Sequence, residues 1–315
     1  MHPAKSVIFF TTATGAGYGL LISLFAYAVL GDLPADDRFF MFSFSGAFGL
    51  IIAGLLASTF HLGHPERAWR ALSQWRTSWL SREGVFALLT FLPAAGFAAS
   101  WWFLGQKALE TTVLGAVTTV FSLATIWCTG MIYASLKAIP AWNNPWTVPG
   151  YLSLSAATGV PLFLVLGVAF DADIGRLPYF TAIGFVAFAF VMKGLYWVFK
   201  KYDDVTATAE SATGLKMGKV TLLEAPHDSA NYLMKEMGFK IARKHASALR
   251  KWAMFLGFLL PIGFLVMAVT SPPQDRFMPT AFAFAFVFTG TVIERWLFFA
   301  EAKHVVTLYY GAEKV

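Results

Sequence analysis

Eight runs of about 20 mostly apolar residues divide this chain, and each is long enough to cross a bilayer as an α-helix. Backbone groups inside hydrocarbon have no water to bond, so a chain that crosses it must form helices or a closed barrel. The runs cover about residues 7–30, 39–61, 84–105, 111–135, 151–170, 178–199, 252–271 and 279–301. We therefore predict an all-α integral membrane protein, with residues 1–315 forming a single membrane domain, a bundle of eight transmembrane helices.

The composition supports a membrane setting. Hydrophobic residues make up 57% of the chain and charged residues only 13%, against roughly 25% charged residues in soluble proteins. The 32 Phe and 11 Trp residues suit lipid-facing surfaces and interfacial belts. The single cysteine, Cys128, excludes an internal disulfide and an iron–sulfur cluster held by cysteines of this chain alone.

Lysine and arginine are distributed unevenly between the two sides of the predicted bundle. They concentrate at the N-terminus, in loops 62–83, 136–150 and 200–251, and in the C-terminal tail. The opposite loops, 31–38, 106–110, 171–177 and 272–278, carry one each. By the positive-inside rule the basic side is cytoplasmic, so we expect both termini to be cytoplasmic and the first run to be a retained helix.

The loop 200–251 is long, basic and, by the same rule, cytoplasmic. Asp228 or Ser229 is a suitable N-cap for an amphipathic helix from about 230 to 251. Such a helix would lie on anionic headgroups or form a docking surface for partner subunits, and the sequence leaves both interpretations open.

Few ionisable residues lie inside the predicted spans, which is unusual for a transporter of ions or polar solutes. Lys193 is expected to extend its ammonium group to the nearby membrane surface. Glu294 and Arg295 are neighbours on one helix, where adjacent side chains do not face each other. Each is therefore expected to have another partner, in a proton path or a bridge between helices.

Histidines lie at the ends of spans or in loops, whereas a membrane haem needs two axial ligands from facing helices. The six are His2, His61, His64, His227, His245 and His304. We expect no haem and no metal ligands in this chain, with a His61–His304 pair as the alternative for a haem at the helix ends.

Polar and titratable residues cluster at the cytoplasmic ends of the second, third and fourth spans. The segments are HLGHPERAW at 61–69, SWLSREG at 78–84 and MIYASLKAIPAWNNPW at 131–146. Pro140 and Pro149 exclude a continuous helix from the fourth span into the fifth, which predicts a structured, aromatic loop.

A titratable imidazole beside a carboxylate and an aromatic wall, at the edge of the hydrocarbon, suits a quinone. Its oxidised form needs hydrogen-bond donors and its reduced form needs proton acceptors. The candidate quinone-binding residues are His61, Glu83, His64, Arg82, Tyr133 and Trp142, and those for a proton path or a bridge in the bundle are Glu66, Glu294 and Arg295. The alternative is ordinary interfacial anchoring, for which such residues are also enriched.

The same segments, HLGHPERAWRAL, SWLSREG and MIYASLKAIPAWNNPWTVPGY, resemble the membrane-anchor subunit of the dimethyl sulfoxide reductase family, and the likeness extends over nearly the whole chain. The resemblance implies an anchor for a molybdopterin catalytic subunit and an iron–sulfur subunit that exchanges electrons with ubiquinone or menaquinone. The quinol-site histidine of that family falls on His61, and its glutamate falls on Glu83.

Two further segments, MHPAKSVIFFTTATGAGYGL and KVTLLEAPHDSANYLMKEMGFKIARKHA, look closer to the anchors of cytoplasmic sulfite:quinone oxidoreductases. This likeness implies sulfite oxidation at the bacterial cytoplasmic membrane. The alternatives are the anchor of a dimethyl sulfoxide reductase-type enzyme that oxidises quinol, an independent membrane transporter and a b-type cytochrome.

Overall fold

The computed structural model describes residues 4–31, 33, 36–59, 64–170, 174–202, 207–215, 218–221, 223–224 and 241–310. The α-helices in these residues are α1 Lys5–Leu30, α2 Asp37–Thr59, α3 Trp79–Leu104, α4 Leu109–Ala134, α5 Thr147–Ala169, α6 Leu177–Tyr202, α7 Ala209–Thr213, α8 Ile241–Met254, α9 Leu260–Thr270 and α10 Phe277–Ala300. A π-helical turn, Phe255–Leu259, joins α8 and α9 into one continuous rod. Short 3₁₀ helices cover Pro65–Gln74, Pro273–Asp275 and Val305–Leu308.

Within these described ranges, eight helical segments are long and apolar enough to cross a membrane, which confirms the predicted all-α bundle. Lipid would cover outward-facing side chains such as Leu92, Phe103 and Leu109, which are exposed in the isolated chain. The chain is therefore a multi-pass membrane protein.

Helices α1 and α5 form the centre of the bundle. In their most apolar stretches 72% and 61% of residues are buried, against 33–44% in the other spans. Helix α1 packs against α2, α4, α5 and α10, and α5 packs against α4, α6 and α10 as well. Both carry many Gly, Ala, Ser and Thr residues, which allow helix backbones to approach closely where lipid supplies no hydrophobic driving force.

The closest approach of these two helices is at Gly19 and Gly159. A Cβ atom added at Gly159 would overlap backbone atoms of Gly19, and one added at Gly19 would overlap the carbonyl oxygen of Ser155. The obstructing atoms belong to backbone, so no rotamer change can relieve the overlap. The centre of the bundle therefore requires glycine at both positions.

Gly159→Ala is expected to force α1 and α5 apart and to destabilise the protein by about 1–3 kcal/mol, the usual cost of overpacking. Gly184→Ala in α6 is the matched control, because a Cβ there meets open space. Thermal unfolding of the two purified variants would measure the difference. Equal stability would contradict the proposed closeness of the two helices.

The long basic loop lies only partly within the described residues. Residues 225–240 lie outside them. This segment includes Asp228, Ser229 and the first half of the predicted amphipathic helix. From Ile241 onward, α8 runs without a break into the seventh span. The lipid-contact and docking interpretations of loop 200–251 both stay predictions.

Candidate functional site

The start of α3 turns Glu83 into the bundle. The Ser78 side chain accepts a hydrogen bond from the Ser81 backbone N–H at 3.4 Å and caps the helix. Arg82 points the other way, and its guanidinium donates to the carbonyls of Trp75 at 2.9 Å and Arg76 at 2.7 Å. Successive helical residues are rotated by about 100°, so Glu83 faces inward and is only 4% exposed.

The carboxylate of Glu83 is bonded by a hydroxyl group of a neighbouring helix. The Thr129 hydroxyl, on α4, donates a short hydrogen bond to its Oε1. Tyr133 follows Thr129 by one helical turn and lies on the same face of α4. No ion pair joins Glu83 to a lysine or arginine in the part of the chain that the structure describes.

An aromatic wall stands beside this carboxylate, centred on Tyr133. Its ring centroid lies 5.2 Å from that of Trp142, 5.4 Å from Phe298 and 5.3 Å from Phe299. The ring of Tyr151 stacks on it at 5.7 Å with an interplanar angle of 11°. The wall combines residues of α4, α5, α10 and the loop between α4 and α5.

That loop, residues 135–146, is structured, as the sequence predicts. The Trp142 indole N–H donates to the Phe298 carbonyl at 2.9 Å, and the Tyr196 hydroxyl donates to the Ala141 carbonyl at 2.9 Å. The indole N–H of Trp142 is therefore already engaged. Trp142 is 3% exposed, and its ring stacks on that of Phe298 at 5.7 Å.

A charged cluster of Lys193, Glu294 and Arg295 lies inside the bundle between α6 and α10. Arg295 Nε lies 2.7 Å from Glu294 Oε2, and Lys193 Nζ forms a short ion pair with Oε1 of the same carboxylate. The relative exposure is 3% for Lys193, 0% for Glu294 and 3% for Arg295. These residues form a bridge between helices.

Two expectations about this cluster are wrong. Lys193 does not extend to the membrane surface, because a buried carboxylate and the ring of Tyr196, 3.6 Å from its Nζ, hold the ammonium inside. Glu294 and Arg295 do contact each other although they are adjacent, while the further partner expected for Glu294 is found in Lys193. The guanidinium also lies 3.8 Å from the ring centroid of Tyr151.

The remaining predicted site residues of loop 62–83 and its edge lie on the surface or outside the described residues. His64, Glu66 and Arg67 are on the surface, where His64 Nδ1 lies 3.0 Å from Glu66 Oε1 and Arg67 Nε lies 3.7 Å from the same oxygen. The side chains of His64 and Glu66 are 67% and 63% exposed. His61 lies outside the described residues. The structure thus brings together Glu83, Tyr133 and Trp142 among the candidates.

Sequence reasoning missed Thr129, which bonds Glu83, Tyr151, which stacks on Tyr133, and the buried Tyr18. Thr118, Ser122, Thr125 and Thr129 recur every three or four residues in α4, so they lie on one face of the helix. That spacing was a usable signal for the polar face. The depth of Tyr18 and Tyr151 relative to Glu83 depends on how the helices pack, and the sequence carried no such signal.

Comparison with known proteins gives a consistent result. The family model described as "DMSO reductase anchor subunit (DmsC)" matches residues 1–311. A sulfite dehydrogenase subunit of Allochromatium vinosum is 36% identical, over 98% of this chain and 99% of the relative. A subunit of the anaerobic dimethyl sulfoxide reductase of Escherichia coli is 32% identical, over 44% of this chain and 49% of the relative. The corresponding subunit of Haemophilus influenzae is 28% identical, over 49% and 58%.

Proposed function

The chain belongs to the family of DMSO reductase anchor subunits, and we propose that it anchors a molybdenum-containing oxidoreductase in the bacterial cytoplasmic membrane and exchanges electrons with quinone. The observation that carries the quinone role is Glu83. It is a buried carboxylate bonded by Thr129, without a cationic partner among the described residues, beside the stacked rings of Tyr133 and Tyr151. Such a group can take up and release a proton at the edge of an apolar site.

We propose that the reaction is sulfite oxidation. The relative that aligns with nearly the whole chain is a sulfite dehydrogenase subunit, and this supports the assignment. The partners would be a molybdopterin catalytic subunit and an iron–sulfur subunit, which would hold all the metal centres. The second candidate is the anchor of a dimethyl sulfoxide reductase-type enzyme that oxidises quinol, favoured by the partial match to the reductase subunits.

We propose that the residues around Glu83 bind a quinone, either ubiquinone or menaquinone. A bound quinone would supply a redox couple of two electrons and two protons. Tyr133 and Trp142 would contact its ring, His61 would hydrogen-bond one of its oxygens, and Glu83 would exchange a proton through the carboxylate oxygen that Thr129 does not bond. Arg82 would hold the turn before α3 in place through its hydrogen bonds to the Trp75 and Arg76 carbonyls, and this turn would cover the site on its cytoplasmic side.

The proposed function is tested by purifying the tagged chain from its native membrane and measuring bound metal. We expect molybdenum and iron to accompany it in constant ratio, and an absorption spectrum without a stoichiometric Soret band. A Soret band at one per chain would identify a cytochrome instead. A metal-free chain that moves solute into vesicles by itself would identify a transporter.

Orientation is the second testable part of the proposal. We expect both termini, the surface residues His64 and Glu66, and loop 200–251 on the cytoplasmic side, from the arginines of loop 62–83. Reporter fusions at the C-terminus and in the 106–110 loop should give opposite signals. An external C-terminus would contradict this orientation and would remove the support for a cytoplasmic sulfite-oxidising complex.

A further inference from the structure

An apolar groove lies on the outside of the bundle, where residues of α1, α8 and α10 meet. Among its lining residues that the structure describes, Lys5 alone is charged. We propose that this groove binds an acyl chain of an anionic phospholipid, whose phosphate is held by the Lys5 ammonium. The site shares no residue with the surroundings of Glu83. It requires only that the chain spans a membrane, so it does not depend on the proposed quinone function.

The groove results from the packing of three helices. Helix α10 contacts both α1 and α8, and it contributes Val292, Ile293 and Trp296 to the lining. The other lining residues are Lys5, Ile8 and Phe9 of α1 and Leu249 of α8. The groove has a volume of about 470 Å³, within the range of roughly 300–1,000 Å³ that is usual for ligand sites. It is therefore a concave site rather than a flat helix face.

The groove lies at one membrane face and opens toward lipid. Lys5 is the first residue of α1, and Trp296 lies one turn before the end of α10 at Ala300. Tryptophan is enriched at this depth, where the hydrocarbon meets the headgroups. Phe9 is 44% exposed in the isolated chain, and in a bilayer such a side chain contacts lipid. An acyl chain can therefore enter the groove sideways from the membrane.

The position of Lys5 relative to the apolar lining matches the structure of a phospholipid. Lys5 and Phe9 are four residues apart and thus lie on one face of α1, with Lys5 nearer the helix end. A lipid whose chain lies over Phe9 and Trp296 has its phosphate at the depth of the ammonium. Lysine binds phosphate as a point charge. Basic pockets between transmembrane helices are typical binding sites for anionic headgroups.

Charge complementarity favours an anionic lipid over other apolar occupants. The described lining contains no carboxylate and no imidazole, the groups that would accept protons from a reduced quinone. Phosphatidylcholine carries a phosphate, but its quaternary ammonium compensates the charge. A lipid with a net negative headgroup, such as phosphatidylglycerol, keeps the full attraction to Lys5.

The acidic residues of α10 and its C-terminal end do not oppose a phosphate at this site. Glu294 is 0% exposed and pairs with Lys193 and Arg295 inside the bundle. Glu301 pairs with Lys200 and Arg250. Cations of the bundle thus compensate both carboxylates without the help of Lys5.

The test is photo-crosslinking of the full chain, with the subunits that accompany it, in phosphatidylcholine nanodiscs. One sample contains a small share of phosphatidylglycerol with a diazirine in its acyl chain, and the other contains phosphatidylcholine with the same label. Peptide mass spectrometry locates the adducts. We expect them to concentrate at Phe9 and at Val292–Trp296, with about fivefold more labelling by phosphatidylglycerol, the factor that one lysine near the membrane surface contributes.

Two pairs of variants test the headgroup and the chain separately. Lys5→Gln should remove most of the preference for phosphatidylglycerol, whereas Lys137→Gln, at an exposed loop position, should keep it. Leu249→Trp fills the groove and should lower its labelling by both lipids. Leu259→Trp is the control for this change, because Leu259 belongs to the same span, is 51% exposed and does not line the groove.

Adducts spread evenly over the lipid-facing helices would overturn the proposal and leave ordinary lipid contact. Equal labelling of the groove by the two lipids in the wild type, or a preference that Lys5→Gln retains, would also overturn it. Groove labelling that added ubiquinone or menaquinone displaces, and unlabelled phosphatidylglycerol does not, would assign the groove to quinone instead. If Leu249→Trp does not fold, Lys5→Gln still decides, since it changes an exposed side chain.

Discussion

His61→Ala is expected to lower quinone-linked turnover by roughly tenfold to over a hundredfold while the complex still assembles. Loss of one charge-assisted hydrogen bond to a quinone oxygen costs on the order of 1.5–3 kcal/mol, which corresponds to that range of rates. Activity of the soluble partners with an artificial water-soluble electron acceptor should survive, because that route bypasses the membrane site. Both activities are to be measured on the same preparation.

His245→Ala is the matched control for this experiment, because it removes an exposed imidazole from α8 and should leave both activities unchanged. If the two activities of His61→Ala fall together, the residue is structural. If neither falls, the quinone site lies elsewhere, and Tyr133, Arg82 and His64 are the next positions to test.

The bundle could be predicted because its determinant is local. A run of about 20 apolar residues has one low-energy arrangement in hydrocarbon, so each span can be recognised without knowing its neighbours. The third run, read as 84–105, corresponds to α3 at Trp79–Leu104. Helix ends depend on caps and loop contacts, which is why the bounds of the runs and helices differ by a few residues.

The charged cluster shows what local reasoning cannot supply. Lys193 is near the end of its span, so sequence position favours an extended side chain that reaches the surface. Its actual partner, Glu294, lies on a helix that follows much later in the sequence. Whether Lys193 and Glu294 meet is decided by the packing of the whole bundle, and no pattern within either helix contains that information.

The residues around Glu83 show the same difference between what the sequence predicts and what helix packing decides. Glu83 could be selected because a carboxylate directly precedes the third apolar run, 84–105. Its bond to Thr129 joins residues 46 positions apart and depends on the packing of α3 against α4. The bond from the Trp142 N–H to the Phe298 carbonyl joins residues 156 positions apart and depends on where α10 packs.

Glu83→Gln is expected to have the largest effect of any single substitution in the chain on quinone-linked turnover, a loss of roughly 10²–10⁴-fold, the usual contribution of general acid–base catalysis. The glutamine carbonyl can still accept the Thr129 hydrogen bond, so the local fold and the assembly should be retained. What the variant cannot do is gain or lose a proton. Its residual activity should therefore no longer show the pH dependence of the wild type, while activity with the artificial acceptor stays normal.

Thr129→Val distinguishes the effect of the Glu83 proton on turnover from the effect of the hydrogen bond that Glu83 accepts. Valine keeps the shape of threonine and leaves the carboxylate titratable, but it removes the hydroxyl that donates to Glu83 Oε1. A neutral donor to a charged acceptor contributes about 1.5–3 kcal/mol at most, so quinone-linked turnover should fall less than in Glu83→Gln and should keep a pH dependence with a displaced midpoint. If Thr129→Val is as inactive as Glu83→Gln, the carboxylate serves to hold α3 against α4. If Glu83→Gln retains wild-type turnover, proton exchange uses another group.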